Sequence, residues 1–129
     1  MNKILLVDDD IDFIEINKTI LEANEFEVET AETEAEALKK LEEYQPNLII
    51  MDLMMEHYDS GFTLAHKIKS HDESKHVPII MVTGVATETG KRFSLNSKEE
   101  KEWIKVDAYL EKPISPDDLI GTINNLLKG

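Results

Sequence analysis

The feature that most constrains the fold is a series of five short strand-like segments separated by stretches with helical periodicity. Residues 3–7 (KILLV), 47–52 (NLIIMD) and 77–83 (VPIIMVT) are nearly continuous apolar runs, which is typical of strands covered on both faces. Residues 26–30 (FEVET) alternate, which indicates a strand nearer a sheet edge, and 108–112 (AYLEK) is the fifth segment. This alternation of strands and helices predicts an α/β fold with a mostly parallel, doubly wound sheet.

The helical stretches carry start signals. The first helix, within 10–24, is predicted to begin at Asp10 or Asp12. Its apolar face is predicted from the spacing of four residues: Phe13, Ile16, Ile20 and Ala23. Capping patterns and apolar spacing predict four further helices. They are a helix within 33–44 with Thr33 at its start, one at about 61–70, one beginning at Ser97, and one that is capped by Ser115, begins at Pro116 and runs to Lys128.

Composition excludes several classes of function. The 129 residues contain no interdomain linker, so one domain, 1–129, is expected. A net charge of −13 argues against direct binding of nucleic acid or of an anionic membrane. Because there is no cysteine, disulfides, thiol catalysis and cysteine-ligated zinc are excluded. No N-terminal apolar run is long enough for a signal peptide or a membrane span, so a cytoplasmic protein is expected.

Polar residues follow the predicted strands at the edge where ligands bind. In open α/β sheets, ligands sit outside the carboxyl ends of the strands. The residues at those ends are three aspartates after the first strand, one aspartate after the third, a threonine after the fourth and a lysine after the fifth: Asp8, Asp9, Asp10, Asp52, Thr83 and Lys112.

These residue types suit phosphoryl chemistry. Clustered carboxylates recruit a cation, and oxygen ligands without cysteine favour Mg²⁺. A carboxylate beside that ion can act as a nucleophile and form an acyl phosphate, while a lysine and a threonine can bind phosphoryl oxygens. The pattern therefore predicts a site that accepts a phosphoryl group on an aspartate.

Four segments carry a family resemblance: ILLVDD, IIMDLMM, IIMVTG and YLEKP, in that order. With them the chain resembles the receiver domain of bacterial two-component response regulators over nearly its whole length. The resemblance implies a flavodoxin-like (βα)5 fold with strand order 2-1-3-4-5. It also implies that Asp52 is the phosphoacceptor, and that Asp8, Asp9, Asp52 and the main-chain oxygen of Met54 hold Mg²⁺.

The resemblance assigns further roles on the later strands. Thr83 contacts the phosphoryl group and changes rotamer on activation, and Tyr109 is the aromatic switch that moves with it. Lys112 pairs with the phosphoryl group and is followed by a bond to Pro113 that is expected to be cis.

Three departures from the family pattern stand out. Glu56 occupies a position that is usually proline, the run from Asp52 to Gly61 is one residue longer than usual, and the segment between Thr83 and Lys112, with 84–96 inside it, is several residues longer. These departures bear on the lifetime of the phosphoryl group and on the partner surface.

The leading hypothesis is a signalling switch rather than an enzyme, with only self-catalysed phosphotransfer and dephosphorylation. It takes a phosphoryl group from a histidine kinase or a histidine phosphotransfer protein, which switches the face of the fourth helix, fifth strand and fifth helix. Because the chain ends after the fifth helix, output through a separate effector protein is expected; excision from a longer protein and homodimerisation stay open. The alternatives are a receiver-fold binding module that is never phosphorylated, and a haloacid-dehalogenase-like phosphatase that uses Asp8 as nucleophile.

Overall fold

The computed structural model describes residues 2–52, 60–71, 74–83, 107–112 and 114–128. The helix predicted from Ser97, the segment 84–96 and the Pro113 bond lie outside the described residues. Within the described ranges, no helix has both the length and the apolar composition that a membrane crossing requires.

Five strands form one parallel sheet in the order β2-β1-β3-β4-β5. This confirms the predicted fold class and strand order. The alternating segment forms an edge strand as predicted, although the strand begins one residue later than its apolar pattern. The strands are β1 (Lys3–Val7), β2 (Glu27–Ala31), β3 (Leu48–Asp52), β4 (Ile79–Thr83) and β5 (Ala108–Glu111).

Helices pack on both faces of the sheet, and the first turns of three of them are capped as the sequence predicts. Asp10, and not Asp12, is the N-cap of the first helix, because its side chain accepts from the amides of Asp12 and Phe13. Thr33 and Ser115 cap two other helices in the same way. The helices within the described ranges are α1 (Ile11–Ala23), α2 (Glu34–Tyr44), α3 (Ser60–Ser70) and α4 (Pro116–Lys128).

The core consists of two layers, one on each face of the sheet. Alternate residues of β1, β3 and β4 point to opposite faces, so that each strand contributes to both layers. One layer packs against α2 and α3, and the other packs against α1 and α4. Coverage on both faces is the physical reason for the continuous apolar runs in these three strands.

The predicted apolar face of α1 is correct for Phe13, which packs against the core, but the buried stripe lies one residue later in the sequence. Ile14 and Leu21 are buried against the sheet, whereas Ile16 is 61% exposed. The polar residue that the buried stripe includes, Asn17, satisfies its amide by donating to the main-chain oxygen of Phe13 at 2.8 Å. Because Asn17 looks polar in the sequence, the spacing pattern placed the stripe on its neighbours.

Candidate functional site

The carboxyl ends of β1 and β3 bring three carboxylates together. The two strands are neighbours, with Val7 paired to Met51, so the residues that follow Val7 lie beside the end of β3. One carboxylate oxygen from each of Asp8, Asp9 and Asp52 lies within 4.8 Å of the others. Asp8 and Asp52 are buried and Asp9 is exposed, which leaves the cluster open to solvent on one side.

Lys112, which follows β5, brings a cation to this cluster. Its Nζ lies 2.9 Å from Asp8 Oδ2 and 4.0 Å from Asp52 Oδ2. Since β4 lies between β3 and β5, a long side chain is needed to reach the carboxylates from this position. The ammonium thus lies between the two buried carboxylates, and the Lys112 side chain is 24% exposed.

Burial and charge act against each other in this pair. Burial raises the pKa of Asp8, although the hydrogen bonds from the Asp10 amide and from Lys112 oppose the shift. For Lys112, burial favours the neutral amine, but the hydrogen bond to Asp8 and the charges of Asp52 and Asp8 outweigh it, so that its pKa is raised. The lysine therefore stays charged and partly neutralises the carboxylate cluster.

A family comparison decides what kind of domain carries this site. The family model described as "Response regulator receiver domain" matches residues 4–124. The chain belongs to this family. The resemblance that the four sequence segments suggested is therefore confirmed, and the chain is a receiver domain of two-component response regulators.

Relatives of the receiver domain differ in length. This chain is 35% identical to the transcriptional regulatory protein GltR of Pseudomonas aeruginosa, over 97% of this chain but only 48% of that protein. It is 30% identical to the polar-differentiation response regulator DivK of Brucella anthropi over 96% of this chain and 94% of that protein. The chain thus spans about half the length of GltR and nearly all of DivK.

A solved structure supports the fold. The receiver domain superposes on a CheY-like response regulator receiver domain from Methanospirillum hungatei with a TM-score of 0.82 and 33% identity, covering 99% of this chain and 94% of that one. The flavodoxin-like architecture of the described residues is therefore shared with that structure.

The carboxylate cluster of the receiver domain fits a divalent cation. Mg²⁺ binds oxygen ligands at about 2.1 Å, so two direct ligand atoms lie at most about 4.2 Å apart. Oxygens within 4.8 Å of one another reach this spacing through small side-chain movements or through a bridging water. The observed donors are all carboxylates, which suits a hard cation better than a soft one.

Other predicted site residues are placed only in part. β4 ends at Thr83, next to the strand that carries Asp52, which agrees with a position at the site edge. Tyr109, on the edge strand β5, is half-buried and packs against the core layer beneath α2 and α3. Met54 and Glu56 lie outside the described residues, so their roles stay predictions.

Two features of the site were not predicted from the sequence. One is the ion pair between Lys112 and Asp8, since Lys112 was assigned to the phosphoryl group. The other is Phe13, whose ring centroid lies 4.3 Å from Lys112 Nζ. Phe13 was interpreted only as part of an apolar face, and its spacing carries no signal that separates a core aromatic from one that faces a cation.

Proposed function

We propose that this receiver domain accepts a phosphoryl group on Asp52, with Mg²⁺ held by Asp8, Asp9, Asp52 and the main-chain oxygen of Met54. The observation that carries the proposal is the convergence of three carboxylate oxygens and one ammonium at a single sheet edge. A phosphohistidine on a histidine kinase or a histidine phosphotransfer protein is the proposed donor.

In the proposed reaction, an oxygen of Asp52 attacks the phosphorus atom while the bond from phosphorus to the donor's histidine nitrogen breaks. The products are an acyl phosphate on Asp52 and a free histidine, which takes up a proton from solvent. A bound Mg²⁺ supplies positive charge for the phosphoryl oxygens. The Lys112 ammonium, 4.0 Å from Asp52 Oδ2, binds another of these oxygens, and Thr83 contacts a third.

Phosphorylation is proposed to change the partner surface rather than to start a catalytic cycle. Thr83 and Tyr109 would move together and repack the face that includes β5 and α4, which is the helix predicted as the fifth. We propose that a separate effector protein in the cytoplasm binds the changed surface. A homodimer of the phosphorylated domain is a further form of the active state. GltR is named as a transcriptional regulator and DivK as a response regulator, and the same receiver chemistry would serve in a protein of the length of GltR or of the length of DivK.

The geometry argues against the phosphatase alternative. That reading needs Asp8 as a nucleophile, but Asp8 is 0% exposed. Asp8 Oδ1 accepts from the Asp10 amide at 2.9 Å, and Asp8 Oδ2 accepts from Lys112 at 2.9 Å. Both oxygens of Asp8 are therefore engaged and its side chain has no exposed surface, whereas Asp52 is 8% exposed.

The test is the intact mass of the protein after incubation with acetyl phosphate and Mg²⁺. We expect a gain of one phosphoryl group in the wild type and in Asp12→Asn, which changes an exposed aspartate outside the cluster. We expect no gain in Asp52→Asn, because an amide is a poor nucleophile, and none in the wild type when EDTA removes the metal. Undiminished labelling of Asp52→Asn contradicts the assignment, and a wild type that gains nothing favours the unphosphorylated binding module.

A further inference from the structure

Hydrogen bonds in the first turns of α1 position Phe13 beside the site. The Asp10 side chain accepts from the Phe13 amide at 3.3 Å, and Asn17 donates to the Phe13 main-chain oxygen at 2.8 Å. The half-buried ring packs against the core layer that α1 and α4 cover. Hydrogen bonds therefore position its backbone, and packing positions its ring.

The ring faces the ammonium of Lys112 at 4.3 Å from centroid to Nζ. This distance is well within the roughly 6 Å over which an aromatic face attracts a cation, and partial burial of the lysine strengthens the attraction. Unlike a further carboxylate, a neutral ring attracts the ammonium without binding the metal and without adding repulsion to Asp8, Asp9 and Asp52.

We propose that Phe13 is a positioning residue for phosphoryl acceptance, because its ring holds the Lys112 ammonium between Asp8 and Asp52. The proposal rests on the proposed function, since Lys112 acts there on the phosphoryl group of Asp52. A cation bound at the cluster shares the charge of Asp8, which weakens the hold of that carboxylate on Lys112. The Phe13 ring is neutral with or without a bound cation, so it keeps the Lys112 ammonium beside Asp52 when the cation is present.

An aliphatic side chain would fill the same volume without the electrostatic attraction. Packing alone therefore predicts that the reaction is insensitive to the electron density of the ring. The positioning role predicts the opposite, because fluorine atoms withdraw electron density from the ring face and change its size very little. Site-specific incorporation of phenylalanine with one, two and three ring fluorines at position 13 separates the two roles.

The measured quantity is the rate constant of phosphorylation by acetyl phosphate at saturating Mg²⁺. We expect it to fall stepwise with each fluorine and to be lowest in Phe13→Leu, by about threefold to tenfold in total. Phe13→Tyr, which keeps the ring face, is expected to stay within about twofold of the wild type. The matched control is the same series at Phe26, a buried ring of the same core layer beside the opposite end of β1, where no change in rate is expected.

A second readout needs neither metal nor phosphoryl group. In the metal-free protein, the ring current of Phe13 should shift the Lys112 Cε proton resonances upfield, and this shift should disappear in Phe13→Leu. Lys112→Met identifies the resonances by their loss. Thermal unfolding of every variant shows that the fold is retained.

The outcomes separate the two proposals. A phosphorylated wild type with a graded fluorine series and an upfield lysine resonance supports the role of Phe13. A phosphorylated wild type with a flat series, or with unshifted lysine resonances, overturns the role of Phe13 and leaves the proposed function intact. A wild type that accepts no phosphoryl group overturns the proposed function and with it any role of Phe13 in that reaction.

Discussion

Replacement of Lys112 by methionine tests how the site balances charge before a metal binds. The substitution keeps an unbranched side chain of similar length and removes the ammonium that lies 2.9 Å from Asp8 Oδ2 and 4.0 Å from Asp52 Oδ2. The fully buried Asp8 then keeps the Asp10 amide as a hydrogen-bond donor but loses its salt bridge to Lys112. We expect the metal-free protein to be less stable and its stability to become strongly dependent on Mg²⁺.

The magnitude follows from the two distances. With an effective dielectric constant of about 20, the attraction is roughly 6 kcal/mol to Asp8 and roughly 4 kcal/mol to Asp52, and desolvation of the charged groups offsets most of it. Removing one partner of a buried ion pair usually costs about 3–5 kcal/mol. Because Asp8 can take up a proton and keeps one hydrogen bond, we expect a loss of about 2–3 kcal/mol. That corresponds to a fall of about 1–1.5 M in the urea midpoint.

The pH dependence has a definite sign. Burial already raises the pKa of Asp8 above its ordinary value of 3.8, and loss of the ammonium raises that pKa further in the folded variant. The folded variant therefore binds a proton more tightly than the unfolded chain does. Its stability relative to the wild type is regained as the pH falls toward 3.8 and is lost as the pH rises through the raised pKa. The difference between the two proteins should be larger at pH 8 than at pH 5.

The assay is urea unfolding at both pH values, with and without Mg²⁺. Mg²⁺ should stabilise Lys112→Met more than the wild type, because it no longer competes with the ammonium for the same carboxylates. The matched control is Lys69→Met, which breaks a bond of 3.1 Å to Asp107 at the opposite end of the sheet and should lower stability without a response to Mg²⁺. Equal Mg²⁺ stabilisation of all three proteins, or a Lys112→Met variant as stable as the wild type, would contradict this account of the charge balance at the site.

Two further substitutions test the site and the fold. Asp8→Asn should weaken Mg²⁺ binding at least about tenfold in a metal titration because it removes a charged ligand, while Asp12→Asn, outside the cluster, should not; equal affinities would exclude Asp8 as a ligand. Thr33→Ala removes the hydroxyl that accepts from the Glu36 amide at 3.1 Å and should lower the free energy of unfolding by about 1 kcal/mol, measured in urea. Thr19→Ala, which removes a hydroxyl that donates to the Glu15 main-chain oxygen within an exposed turn of α1, should cost less, and the reverse order would count against the cap.

Local chemistry explains why the secondary structure was predictable. The start of α2 was predicted from Thr33 and Glu36 and that of α4 from Ser115, because an N-cap is satisfied by residues within one turn. The buried strands were predictable because coverage on both faces requires continuous apolar runs. The face of α1 was not, since the burial of Asn17 depends on a bond to the main chain that composition does not reveal.

The geometry of the site was likewise predictable from the sequence only in part. The approach of Asp8, Asp9, Asp52 and Lys112 could be predicted, because parallel strands deliver the residues that follow them to one edge. The choice of Asp8 as the closer partner of Lys112 could not, because it depends on differences of about 1 Å between side chains from three strands.

The chain order of the described strands and helices, the edge of the sheet at which polar residues gather and the family resemblance could all be predicted from the amino-acid sequence. These properties follow from periodicity and from short motifs, which act over a few residues. The three-dimensional packing was needed to show which carboxylate the Lys112 ammonium contacts and which aromatic ring faces that ammonium. Asp8 and Lys112 are 104 residues apart in sequence, and Phe13 joins them only through the packing of α1 on the sheet. Contacts of this kind depend on where whole elements come to rest, and no local pattern in the chain records that.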